Sequence, residues 1–119
     1  MSPTATRYTL WIVQGLLTLA FVAAGLAKLA GAEQMVQVFE TVGFGQWFRY
    51  VTGLIEIGGA VLLWVPGMQL VGAGLLLATM VGAVIAHLTV LGPTALPALV
   101  LGVLAAVVLW LRRPAGATA

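Results

Sequence analysis

Four apolar stretches of about twenty residues each, the last three separated by connectors too short to be anything but turns, set the strongest limit on how this chain can fold. They run approximately over 8–30, 47–65, 69–91 and 94–111, each close to the ~20 residues that a helix needs to cross ~30 Å of hydrocarbon. Pro66-Gly67-Met68 alone separates the second from the third, and Gly92-Pro93 the third from the fourth. Turns of that length make consecutive helices antiparallel neighbours. The expected fold is therefore all-α, an antiparallel four-helix transmembrane bundle in a single domain over 1–119. The first apolar run follows Arg7 and is too long for the hydrophobic region of a secretory signal, so it is read as a retained span.

Composition agrees with a bilayer environment. Of 119 residues, 62% are hydrophobic and 7% charged, and the mean hydropathy is +1.15, well beyond an ordinary soluble domain. The net charge of +2 comes from five scattered basic residues against three acids, which form no stripe for nucleic acid. Without cysteine there is no disulfide, thiolate metal site or dithiol chemistry. The one histidine, His87, rules out bis-histidine haem ligation and argues against zinc. The methionines are scattered and read as packing residues.

The connection between the first two spans is longer and patterned. Met35, Val36, Phe39 and Val42 share one helical face, opposite Glu33, Gln37, Glu40 and Thr41. That spacing predicts a short amphipathic helix over about 32–42 at the membrane interface, ended by Gly43. It serves either as a connector shielding the bundle mouth or as a lid. Arg7 before the first span and Arg112-Arg113 after the fourth place both termini in the cytoplasm of a multi-pass inner-membrane protein. Lys28 and Arg49 lie at the other side with Glu33 and Glu40. Tyr8, Trp11, Trp64 and Trp110 then form the inner aromatic belt and Phe44, Trp47, Phe48 and Tyr50 the outer one.

Three of these apolar segments carry an ionisable residue. Around Glu56, the positions three and four away are Thr52, Gly53, Gly59 and Ala60, a small-residue face that lets helices approach closely and carries the acid inward. In the first span Gln14, Thr18, Phe21, Gly25 and Lys28 fall on one seam. In the third, Gly74, Ala78, Gly82 and Ala86 recur every four residues with His87 on the flank, and this row is expected to face the bundle too. At 1.5 Å per residue, Lys28, His87 and Glu56 lie about 3, 6 and 13 Å below the outer surface, with Gln14 near the opposite side. Lys28, and His87 beside it, can then offset the ~2.5 to 3.5 kcal/mol cost of a charge in the bilayer. The candidate site is Glu56, Lys28, His87 and Thr52, either a ligand or proton site or a device that holds helices in register. The fourth span has no polar side chain between Ala95 and Leu111 and is read as packing and lipid contact.

These residues lie in stretches that resemble the DoxX family of small bacterial membrane proteins: FVAAGLAKLAG over 21–31, VTGLIEIGGAVLL over 51–63, and GAVIAHL over 82–88. The resemblance implies a four-helix membrane subunit of the kind associated with redox complexes, the family name coming from a subunit of a thiosulfate:quinone oxidoreductase. Distant relatives look like assembly factors. Fold alone does not fix function. The leading expectation is an outward-opening polar pocket that binds a quinone or similar small hydrophobic carbonyl compound for a partner membrane oxidoreductase, with no covalent cofactor. In it Glu56 handles a proton, Lys28 sets its charge, and His87 hydrogen-bonds a ligand oxygen, with Thr52 beside them. The alternatives are a non-enzymatic assembly or interaction subunit for another membrane protein, and a small proton-coupled transporter acting as a homo-oligomer.

Overall fold

The structure is a computed structural model and describes residues 1–92 and 94–114. Among them are five α-helices, one π-helical turn and no strand: α1 (Pro3–Ala30), α2 (Glu33–Val42), α3 (Trp47–Leu62), α4 (Gln69–Ala86), the π turn His87–Leu91, and α5 (Leu96–Arg112). Pro93, half of the expected Gly92-Pro93 turn, lies outside the described residues.

Local chemistry explains where the helix ends depart from the expected spans. α1 begins five residues early because Ser2 accepts a hydrogen bond from the Ala5 amide at 3.1 Å and Pro3 occupies the first turn, where its missing N–H costs nothing. It ends at Gly31, whose φ of +73° closes a Schellman turn in which the Ala32 amide reaches Ala27 O at 3.0 Å and Gly31 reaches Lys28 O at 3.3 Å. α3 stops at Leu62 instead of Val65, and a run of tight turns carries the chain from Leu63 to Met68, because Pro66 cannot continue a helix. The third segment changes to wider π geometry at His87.

The helices form a ring: α1 packs against α3, α3 against α4, α4 against α5, and α5 back against α1. α1 and α3 run in opposite directions, since Lys28 meets Glu56 at one end and Gln14 meets Leu63 at the other. Glycines set the closest approaches. A Cβ on Gly53 would lie 3.0 Å from Gly25 O, and one on Gly72 would lie 2.7 Å from Gly59 O. Leu17, Phe21, Leu63, Leu76 and Val108 fill the centre. α2 lies beside α1, α3 and the π turn, burying Phe39 and exposing Glu33, Gln37, Glu40 and Thr41, as its pattern predicts.

One expectation about faces is corrected. The row Gly74, Ala78, Gly82 and Ala86 does not point into the ring: a Cβ on Gly74 or Gly82 would meet nothing within 4 Å. α4 buries Gly72, Ala73, Leu76 and Met80 instead. Each of the two faces offers a glycine for close packing, and the choice falls to Gly72, which α3 meets with a glycine of its own, Gly59.

Two helical stretches, Pro3–Ala30 and Gln69–Leu91, are long and apolar enough to cross a membrane, and α5 is a shorter apolar helix. Only 33% and 11% of the residues in their most apolar windows are buried. Core helices of a soluble protein are covered by their neighbours, whereas these leave Leu19, Leu26, Val81 and Ile85 outside, the signature of apolar surface matched to lipid.

Candidate functional site

Helical spacing puts Gly25 and Lys28 on one face of α1, and Arg49, Gly53 and Glu56 on one face of α3. The glycine contact between these helices brings the two faces together. Lys28 Nζ lies 2.7 Å from Glu56 Oε1, with the Glu56 residue 2% exposed and the Lys28 side chain 13%. This is the single ion pair among the described residues. Lys28 is also the only partner of Glu56 Oε1, an otherwise unsatisfied buried oxygen. The lysine is the half that can be reached from outside.

Arg49 belongs to the same constellation, although the sequence reading placed it only among the charges flanking the spans. It is 5% exposed. Its Nε donates to Gln46 Oε1 at 2.9 Å, and its Nη1 donates to Lys28 O, a second donor, beside the Gly31 amide at 3.3 Å, for a carbonyl in the last turn of α1. The absence of a side chain on Gly31 leaves room for this guanidinium, which a Cβ would approach to 3.3 Å. The available signal was spacing: Arg49 stands four residues before Gly53 and seven before Glu56, on the face already assigned inward.

His87 and Thr52 are placed differently. His87 Nδ1 lies 2.8 Å from Ala83 O, one turn back on its own helix, and the π turn that it opens packs against α2. No hydrogen bond joins His87 to Lys28 or Glu56 among the described residues. Thr52 Oγ1 donates to Phe48 O at 2.8 Å, again within its helix. Of the four sequence candidates, then, the fold pairs Lys28 with Glu56 and leaves the other two bonded locally.

The opposite pole holds a second polar knot. Gln14, 1% exposed, donates from Nε2 to Leu63 O at 3.0 Å and accepts from Arg112 Nε at 2.5 Å. Thr18 Oγ1 donates to Gln14 O at 2.7 Å and accepts from Trp64 Nε1 at 2.8 Å. This knot joins α1, the end of α3 and the end of α5, and it accounts for Gln14 and Thr18 on the α1 seam.

Two clefts among the described residues bear on the site. One of about 560 Å³ lies between the start of α1 and the end of α5, lined by Arg7, Leu10, Trp11 and Arg112 among others. The other, about 290 Å³, is an apolar groove between α4 and α5. Neither is lined by Lys28, Glu56 or His87. No group of three or more potential metal ligands occurs among the described residues.

No curated protein and no solved structure matches the chain. A family model does, that of the DoxX-like family, over residues 12–111, a range that takes in the Lys28–Glu56 pair, Arg49 and all of α2 to α4. With the match covering most of its length and its helices leaving apolar surface outside, the chain belongs to the DoxX-like family and is a small membrane protein.

Proposed function

We propose that this protein is a four-span subunit of the cell's inner membrane, with both termini cytoplasmic, α2 at the outer interface, and the Lys28–Glu56 pair serving as a polar site where a quinone or similar lipid-soluble carbonyl compound is held for a membrane oxidoreductase. The observation that carries this reading is the 2.7 Å ion pair, with one of the chain's three carboxylates buried at its centre. As a device for stability alone the pair is a poor investment, since polar contacts between membrane helices average only ~0.6 kcal/mol.

The residues present fit a carbonyl ligand. An ammonium has three protons to donate; Glu56 Oε1 takes one, and the partly exposed Lys28 side chain can turn another toward a carbonyl oxygen arriving from the lipid side. Glu56 fixes the ammonium in place and can hold a proton at Oε1. A bound quinone would supply two-electron chemistry coupled to protonation. The Lys28 side chain, 13% exposed beside the buried Glu56, is the group through which a ligand reaches the pair.

A second reading has one observation in its favour. The outward row of Gly74, Ala78 and Gly82 on α4, with open space above its glycines, suits close contact with a helix of another membrane protein, as an assembly subunit would need. Native mass spectrometry of the protein extracted from its own membrane separates the two. The quinone reading expects a quinone adduct on the wild type that is lost from the double variant Lys28→Met with Glu56→Gln, which strands no buried charge and keeps the fold. An adduct kept by that double variant would refute it, and a co-purifying protein without quinone would favour assembly.

A further inference from the structure

The charges of this chain are sorted by pole. α1 has 28 residues, about 42 Å at 1.5 Å per residue, nearly the 45 Å length of the molecule. Of the three carboxylates, Glu33 and Glu40 lie on α2, just past the end of α1, and Glu56 is taken by Lys28. Arg7, Arg112 and Arg113 stand at the other pole, and no carboxylate among the described residues pairs with any of them.

Two of these arginines face one cleft, the opening of about 560 Å³ between the start of α1 and the end of α5. Uncharged groups hold both in place. The Arg7 guanidinium lies over the Trp11 ring, 4.6 Å from its centroid, a cation–π contact that leaves its N–H edges open. Arg112 gives its Nε to Gln14 Oε1, and Gln14 is itself anchored to Leu63 O. A carboxamide orients a guanidinium without cancelling its charge. Nε is the only guanidinium nitrogen of Arg112 with a hydrogen-bond partner among the described residues, which leaves both terminal amino groups for a forked contact with an oxyanion.

We propose that this cleft binds the phosphate of an acidic phospholipid headgroup, gripped by Arg112 and Arg7, with Leu10 and Trp11 against the glycerol and the first acyl carbons. Lipid is favoured over a soluble phosphate by the cleft's surroundings. Tyr8, Trp11 and Trp110 are all exposed around this pole, the residues that settle at headgroup depth. Directly beyond Trp11 the outer face of α1 becomes apolar, with Ile12, Leu16 and Leu19 exposed. Arg113, stacked 3.6 Å from the Trp110 centroid, adds positive potential at the same end.

The test uses the full chain in detergent, followed by native mass spectrometry during titration with phosphatidylglycerol, with phosphatidylcholine, and with glycerol phosphate. Phosphatidylglycerol is expected to be retained in preference to phosphatidylcholine. Arg7→Gln should lower its occupancy about fivefold, the worth of one arginine at a lipid surface, and Arg7→Gln with Arg112→Gln should lower it further, with phosphatidylcholine adducts unchanged. Arg7 is exposed and its side chain makes no hydrogen bond among the described residues, only the contact with Trp11, so its single variant keeps the fold. Equal retention of the two lipids, or phosphatidylglycerol retention indifferent to Arg7→Gln, overturns the site. Displacement of the lipid by glycerol phosphate at equal concentration overturns the lipid as its occupant.

Discussion

Removing one partner of the Lys28–Glu56 pair should cost far more than removing both. In Lys28→Met, Glu56 stays 2% exposed with its only partner among the described residues gone and no other cation of these within 4 Å. Leaving a buried charge uncompensated costs about 3 to 5 kcal/mol, a loss of at least ~100-fold in the folding equilibrium. Glu56→Gln is gentler, because the carboxamide still accepts from Lys28 and the amine reaches solvent, and a cost of about 1 to 3 kcal/mol is expected. The double variant has no charge to strand, and the coupling between the two sites should recover about 1 to 3 kcal/mol of the summed single losses. Reversible unfolding in mixed detergent micelles, titrated with sodium dodecyl sulfate, would measure all four corners of the cycle. Losses that add to within about 0.5 kcal/mol would mean that the two side chains do not meet, and the site built on them would fall.

Two further changes follow from the packing. Gly53→Ala puts a Cβ 3.0 Å from Gly25 O and 3.1 Å from Lys28 Cβ, and since a helix backbone cannot retreat alone, a loss of about 1 to 3 kcal/mol is expected in the same unfolding assay; Gly74→Ala, with open space above it, should be neutral or stabilising by up to ~1 kcal/mol, and equal effects at the two positions would contradict the helix contact described. His87→Ala should change stability by no more than about 0.5 kcal/mol, because the ring bonds only to Ala83 O of its own helix, and a larger loss would place the imidazole in the ion-pair network after all.

Much of the molecule is legible without coordinates, because hydropathy and helical period are properties of contiguous chain. The four apolar segments, the amphipathic α2 with Phe39 inward and Glu33, Gln37 and Glu40 outward, and its stop at Gly43 follow from side-chain chemistry a few residues away. So does the inward aim of Lys28 and Glu56, each on a face made small by a glycine three residues off. What spacing cannot decide is which of several eligible faces a neighbour will cover. α4 has a glycine on each of two faces, and the fit of Gly72 against Gly59 selects the buried one, which turns the Gly74 row outward. Arg49 reads as a flanking charge until the end of α1 presents the Lys28 carbonyl to it, and Gln14 reads as a lone amide until Leu63 O and Arg112 meet it from residues 49 and 98 positions away. Local pattern fixes what each helix can present; contacts between residues distant along the chain, governed by how closely two backbones can approach, decide what it does present.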